Sequence, residues 1–336
     1  MLPGKRYFVH IPESAIRNPR SAIQLTVRFM SGLLLGRWAN IYLSSLLLSL
    51  LAFQRLYVIP VLDREKRSNR WVEGRYLGWL TWICWFGMLI SGVVWLWAVI
   101  ASITNSGLEL GAAERIIGVT QFGRLWLFRS FLGLAIAGGL LRDTPRQTSR
   151  THSDLFWIAV AAINLASLAW ASHAGATTGL FANLHLLTDL VHLLASAVWP
   201  GSLLPLAVWF LVSARGRGNE PVDYAVVHRF SAISMGAVVV LAVSGLLNSL
   251  FMLKRFSDFY STTYGQILAG KIILFLIMIG LGRQNRRLLK IQQPSAAPGM
   301  DPCKAGRLFR NVCAESALAF IVFGLAGALG AIEPPD

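Results

Sequence analysis

The chain has 336 residues, of which 55% are hydrophobic and only 14% are charged. A soluble domain would carry roughly 25% charged residues, so this composition predicts an all-α protein that crosses a membrane several times. The formal net charge of +15 does not indicate a nucleic-acid partner, because the basic residues lie in short segments between apolar runs, where they act as topology signals.

Eight apolar runs follow one another along the chain, and we interpret each as a transmembrane helix. The third run is the weakest, because Arg124 and Arg129 lie inside it. The fifth contains Trp199, Pro200 and Gly201, a combination that predicts a kink in that helix. The eight predicted spans are Trp38–Phe53, Leu77–Ile103, Val119–Leu141, Leu155–Ala174, Leu190–Ala214, Phe230–Met252, Tyr264–Leu281 and Ser316–Ile332.

The distribution of lysine and arginine predicts the orientation of these spans. With both termini outside, the four inner loops hold 19 Lys and Arg residues, whereas the outer segments hold nine, six of them in the N-terminal tail. Since positive residues are enriched on the cytoplasmic side, the count favours a periplasmic N-terminus and a periplasmic C-terminus.

A stripe of polar side chains opens the fifth predicted helix. His185, Asp189 and His192 stand at i, i+4 and i+7, so they share one helix face, and His173 lies across a short linker. Imidazole suits copper, zinc, nickel and iron, and the thioether of Met252, which the topology brings to the same side, suits Cu(I). These five residues are therefore the candidate metal ligands.

Two arrangements of this stripe stay open. Because His185 and His192 lie about 10 Å apart along the helix, a single ion would join His173 to only one of them, or two sites would follow each other along an entry path. Alternatively, these side chains are interfacial polar groups bonded to neighbouring helices, and Asp189 neutralises a buried cation.

Three further charges lie within predicted spans, namely Arg124, Arg129 and Lys271. An unpaired charge at this depth costs at least a few kcal/mol, so we expect each to be paired. The favoured interpretation is a structural ion pair that Asp189 forms with Lys271 or Arg124. The alternative is a polar pathway, and the two are compatible.

No motif in the sequence indicates an enzyme. The chain has no phosphate-binding loop, no nucleophile elbow and no HExxH zinc motif, so we expect no catalytic residues.

Several short motifs resemble the copper resistance protein D (CopD) family from about residue 119 onward, and the likeness is weaker before it. The motifs are Thr120–Gly123 with Arg129, Ser172–Gly175, Asp189–Gly201, Arg229–Ser231, Ser244–Gly245, Tyr264–Gly265 with Lys271, Asn285–Arg286 and Glu333–Pro335. The resemblance divides the chain into a basic tail (1–30), a three-helix part (31–154) and a CopD-like five-helix core (155–336).

The resemblance implies eight transmembrane helices in the bacterial inner membrane and a role in moving copper, generally inward. It also implies a periplasmic copper-binding partner of the CopC type. Copper would then bind at the histidine stripe. Two other functions stay open: a membrane electron-transfer protein with His192 and His173 as haem ligands, and a membrane copper sensor or chaperone that does not transport.

Overall fold

A computed structural model describes residues 19–64, 71–104, 110–142, 151–216, 224–290 and 302–335, and within these ranges it contains helices and no strand. Most of the basic N-terminal tail lies outside these residues, as do residues 291–301 between the last two helices. The helices are α1 (Pro19–Phe53), α2 (Ile59–Arg64), α3 (Trp71–Thr104), α4 (Leu110–Val119), α5 (Gln121–Arg142), α6 (Thr151–Ala166), α7 (His173–Ala176), α8 (Ala182–Val198), α9 (Leu203–Gly216), α10 (Tyr224–Met252), α11 (Asp258–Ser261), α12 (Thr263–Lys290) and α13 (Pro302–Leu329).

The prediction of an all-α polytopic membrane protein is confirmed. Among the described residues, seven helical segments are long and apolar enough to cross a bilayer, and a shorter apolar segment, Leu155–Ala171, occupies the place of the fourth predicted span. Large apolar side chains such as Trp79, Ile90 and Phe131 are exposed on these helices, as a lipid-facing surface requires. The number of eight spans and the outside location of both termini stay predictions.

Helix α1 lies at the centre of the bundle and packs on α3, α6, α8 and α13. The buried side chains Leu47, Leu50 and Phe53 form part of the core, and Ser45 and Ser49 are also fully buried. Small polar side chains at a helix interface let neighbouring backbones approach closely. The backbone at Gly201 lies so close to α1 that an added Cβ would lie 2.4 Å from Ser49 Oγ.

The predicted kink in the fifth span is confirmed as a break between α8 and α9. Pro200–Ser202 forms a 3₁₀ turn there, and the break would leave carbonyl groups unpaired in the membrane. Two hydroxyl groups satisfy them. Ser202 donates to the carbonyl of Ala197 at 2.9 Å, and Tyr57 donates to that of Val198 at 3.2 Å. Ser49 Oγ lies 2.7 Å from the Ala197 carbonyl and 2.7 Å from that of Ser45, and its proton can go to either.

The fourth predicted span is interrupted, whereas the sequence indicated one continuous helix. Helix α6 ends at Ala166, a 3₁₀ turn follows over Ser167–Ala171, and Ser172 adopts an extended backbone. The side chain of Ser172 then caps α7 by accepting a hydrogen bond from Ala174 N at 3.1 Å. This break turns the chain at His173 into the interior of the bundle.

A second difference lies before the third span, in the segment that the sequence analysis left between two predicted spans. The structure has the helix α4 there, and its buried side chains Ala112 and Ile116 pack on Leu96 and Ile100 of α3. These apolar residues recur every four positions, so the helical period was present in the sequence but too short to separate from a loop.

Candidate functional site

A cavity of about 410 Å³ lies among the helices α1, α8, α10, α12 and α13. It collects every residue that the sequence marked as a candidate metal ligand, together with one of the intramembrane charges. These lining residues are His173, His185, Asp189, His192, Met252 and Lys271. We call the end of the bundle where His173 and His185 lie the histidine end.

Helix α8 supplies one wall of the cavity. His185, Asp189, His192 and Ser196 follow at intervals of four, three and four residues, and Pro200 comes four residues later. With 3.6 residues per turn these positions form a single stripe about 22 Å long. The predicted stripe therefore faces the cavity, which reaches deep into the bundle.

Asp189 is held by neutral hydrogen-bond donors from two other segments. Ser172 Oγ donates to Asp189 Oδ2 at 2.7 Å, and Asn248 Nδ2 donates to Asp189 Oδ1 at 3.3 Å. Thr188 Oγ1 donates to Asn248 Oδ1 at 2.7 Å and so orients the amide. Lys271 lines the same cavity and attracts the carboxylate electrostatically without a hydrogen bond to it, as far as the described residues show.

His192 has a fixed tautomer because of its neighbour on α10. His192 Nδ1 lies 3.0 Å from Ser244 Oγ, and the single hydroxyl proton of Ser244 is donated to the carbonyl of Val240 at 2.6 Å. Ser244 Oγ must therefore accept the proton of His192 Nδ1. The lone pair of His192 then sits on Nε2, the form of imidazole that binds metals.

His185 is held by Thr177 and Phe251. Its Nδ1 lies 2.7 Å from Thr177 Oγ1, a hydroxyl that also lies 3.0 Å from the carbonyl oxygen of His173. The contact with Thr177 occupies Nδ1, and Nε2 is the ring nitrogen left to bind an ion. The imidazole also stacks on Phe251, with ring centroids 4.6 Å apart and planes 23° apart, which fixes the plane of the ring.

His173 is oriented by the end of helix α13. Its Nε2 lies 3.1 Å from the carbonyl oxygen of Leu329, which can only accept, so Nε2 carries the proton and Nδ1 carries the lone pair. All three histidines thus engage one ring nitrogen with the protein and leave the other as a candidate ligand.

These groups do not form one closed coordination shell. No three His, Cys, Asp or Glu side chains in the described ranges lie close enough together to hold an ion. Met252, half-buried at the histidine end, lines the cavity and packs with Leu253 and Tyr264. Of the two arrangements predicted for the stripe, ligands that follow each other along a path fit this geometry better than one closed site.

The intramembrane charges other than Lys271 lie elsewhere. Arg124 is exposed on α5 and does not line the cavity, so the suggested pairing of Arg124 with Asp189 is not seen. Arg129 is buried in a separate polar cluster on the far side of α1. Its guanidinium donates to Asn40 Oδ1 at 2.8 Å, to Ser44 Oγ and Ser167 Oγ at 3.1 Å each, and to the carbonyl of Asn164.

Arg37 is a lining residue that sequence reasoning missed. It was counted with the N-terminal tail, yet it lies inside α1, donates from Nη1 to the carbonyl of Gly330 at 2.6 Å and stands 5.6 Å from the ring of Trp95. Its charge also acts on Asp189. The apolar segment around it begins at Ser31, so extending the first span by two turns would have shown a cation within the membrane.

Comparisons with known proteins agree with this architecture. A family model described as Copper resistance protein D matches residues 224–329, and one described as Copper resistance protein D-like, N-terminal domain, matches residues 27–184. No solved structure matches the chain significantly.

Three curated relatives carry names that concern copper or the inner membrane. Copper resistance protein D of Pseudomonas syringae pv. tomato is 30% identical over 283 residues, which cover 80% of this chain and 87% of the relative. Inner membrane protein YebZ of Escherichia coli K12 is 34% identical over 170 residues, or 51% of this chain and 56% of the relative. Copper transport protein CutJ of Bacillus subtilis is 27% identical over 193 residues, 56% of this chain and 35% of the relative.

The two family models together span most of the described helices, and the Pseudomonas relative is matched over most of its own length. Much of the cavity lining, including His173, Met252 and Lys271, lies within these matched regions, whereas the stripe of His185, Asp189 and His192 lies between them. This chain belongs to the copper resistance protein D family.

Proposed function

We propose that this protein carries copper ions across the bacterial inner membrane, from the periplasm at the histidine end to the cytoplasm. The observation that carries the proposal is the set of three histidines in one intramembrane cavity, each with one ring nitrogen bound to the protein and the other available. Imidazole nitrogens in this state are good copper ligands. Copper is the cargo, and we expect no chemical reaction.

The spacing of the ligands favours transfer from site to site. His173 and His185 lie at the mouth, and His192 lies about 10 Å deeper along α8 than His185. A path of partial sites lets an ion enter and also leave, whereas a closed site of four ligands would retain it. Met252 would add a soft sulfur ligand for Cu(I) near the entrance.

The charges of the cavity set its affinity for a cation. Asp189 supplies one negative charge, while Arg37 and Lys271 supply positive charge around it. An arriving copper ion is attracted by Asp189 and repelled by the two basic groups, so its residence in the cavity is limited. Weak retention is what a transport site requires.

The name of one relative supports the location. One relative is named as an inner membrane protein and another as a copper transport protein. The histidine end would face the periplasm, as the distribution of basic residues predicts, and a CopC-like copper-binding protein would deliver the ion there, as the family resemblance implies.

The first test is the metal and pigment content of the protein purified in detergent. In protein equilibrated with copper, we expect near-stoichiometric copper by elemental analysis and no Soret band in the visible spectrum. The triple variant His173→Ala, His185→Ala and His192→Ala should lose the copper and still insert. The matched control, His228→Ala on the exposed surface of α10, should keep it.

Vesicle transport then separates a transporter from a sensor or chaperone. Proteoliposomes of defined orientation should accumulate copper added at the histidine end, and vesicles with the triple variant should not. Copper binding without accumulation would support a non-transporting sensor or chaperone. A Soret band that disappears in His192→Ala would replace the proposal by a haem protein.

A further inference from the structure

A further buried ionisable group lies outside the cavity, seven residues and about 10 Å along α13 from the lining residue Val322. Glu315, at the middle of α13, has only 2% of its surface exposed. It stands 14 residues before Leu329, the partner of His173, and hence about 21 Å from the histidine end along the helix. Ionisable side chains at such positions are rare in membrane helices and commonly carry function.

The contacts of Glu315 are with neutral amides. Asn285 Nδ2 of α12 donates to Glu315 Oε1 at 2.5 Å, and Asn311 Nδ2, one turn from Glu315 on α13, donates to Asn285 Oδ1 at 2.7 Å. Asn311 also contacts Gln284, which is exposed, at 3.4 Å. These amides form a polar connection from the buried carboxyl to the end of the bundle opposite the histidines.

The second carboxyl oxygen faces the neighbouring helix. Glu315 Oε2 lies beside α12 at Gly282, where an added Cβ would lie 3.7 Å away in ordinary van der Waals contact. The hydrogen bond from Asn285 goes to the other oxygen, Oε1. The carboxyl group thus has a neutral amide on one oxygen and a glycine backbone beside the other.

Among the described residues, no charged group of a neighbouring helix is seen to form an ion pair with Glu315. Arg286 is turned about 100° around α12 from Asn285, and Arg283 and Arg287 are exposed. Helix α9 has no titratable group among its described side chains. The remaining titratable side chains described on the packed helices are Arg37 and Tyr42 on α1, Tyr264 and Lys271 on α12, and Cys303, Lys304, Arg307, Arg310 and Cys313 on α13. The hydrogen bond that the structure shows on Glu315 comes from Asn285 and from none of these.

We propose that Glu315 is a proton-binding site that exchanges protons with water at the end of the bundle opposite the histidines. A buried carboxylate without a cationic partner is costly in a membrane, whereas the protonated acid is neutral and needs only the amide that Asn285 provides. The step is a simple acid dissociation, in which the O–H bond at the carboxyl breaks and water accepts the proton. The site does not depend on copper transport.

Infrared spectra of the protein in lipid test this site without any copper. Over a pH range from about 5 to about 9, which spans the region where a buried carboxyl group titrates, we expect a carbonyl band of a protonated carboxylic acid that disappears as the pH rises. Glu315→Gln should remove this band. The matched control Glu114→Gln, at an exposed position on α4, should leave it unchanged.

Two further measurements keep the test decisive. Asn285→Leu should retain the band and move it to higher frequency, because the carbonyl loses a hydrogen bond. In the unsubstituted protein, a hydrophobic carbodiimide should attach to Glu315 at low pH and not at high pH, as read by mass spectrometry of the peptide. Asp189→Asn and Asp258→Asn assign any contribution of two other carboxyl groups with low exposure.

The proposal is overturned if the spectra of the unsubstituted protein and of Glu315→Gln coincide at every pH and no adduct forms on Glu315. That outcome would mean a permanently ionised structural residue. Because these measurements use no copper, they can fail while copper binding at the histidines succeeds, and the reverse is equally distinguishable.

Discussion

His192 Nδ1 on α8 lies 3.0 Å from Ser244 Oγ on α10, and this contact decides which nitrogen of the imidazole faces the cavity. Because Ser244 donates its only proton to the carbonyl of Val240, it acts as an acceptor toward the histidine. Groups that orient a ligand in this way contribute to metal affinity although they never touch the metal.

Ser244→Ala should weaken copper binding about 10–100-fold, the usual effect of losing such an orienting contact. The physical reason is that the imidazole can then rotate or change tautomer. Titration of the purified protein with Cu(I) in a competing chelator measures the affinity. The control Ser102→Ala removes a hydroxyl bonded to the backbone of α3, away from the cavity, and should have no effect. Equal affinities in both variants would contradict the orienting role.

Gly245→Ala should lower copper affinity by crowding His192. A Cβ at Gly245 would lie 3.3 Å from His192 Cε1, so the ring has to shift by a few tenths of an ångström, and we expect a loss of about three- to tenfold. Gly236 lies on the same helix with no atom within 4 Å of its would-be Cβ, so Gly236→Ala is a matched control. The same copper titration compares the two variants. An equal loss of copper affinity in both would indicate a general effect of alanine on α10.

Lys271→Met should tighten copper binding. The ammonium of Lys271 lies in the cavity and repels a cation, so its removal should raise the affinity roughly three- to tenfold. Lys254→Met removes an exposed lysine that does not line the cavity and should change little at physiological ionic strength. Isothermal titration with copper measures both variants. Weaker binding in Lys271→Met would mean that this lysine supports the site rather than opposing the ion.

Arg129→Ala should destabilise the bundle, whereas Arg124→Ala should not. Removing the buried guanidinium leaves a void and unpaired groups on Asn40 and Asn164, with an expected cost of about 2–4 kcal/mol. Arg124 is exposed, and its replacement should stay within about 0.5 kcal/mol. Thermal unfolding in detergent, followed by loss of the monomer peak in gel filtration, compares the two. Similar unfolding midpoints for the two variants would show that the hydrogen bonds of Arg129 are not needed for stability.

The sequence by itself determined the helical membrane fold and most of the site. Apolar runs of this length have no other stable form in a bilayer, because every backbone group must be bonded within its own segment. The spacing of His185, Asp189 and His192 placed them on one face, since helix periodicity is a local property. His173 and Met252 followed from the order of the spans, because consecutive helices run in opposite directions.

Only the tertiary structure decided how these side chains are held and what surrounds them. The partners Ser244 and Leu329 lie 52 and 156 residues away from the histidines they orient, and no local pattern marks them. The break at Ser172 and the insertion of Arg37 depend on packing between α1, α8 and α13. The buried position of Glu315 likewise depends on Asn285 across the helix pair, because its polar contacts are made between helices and not along one.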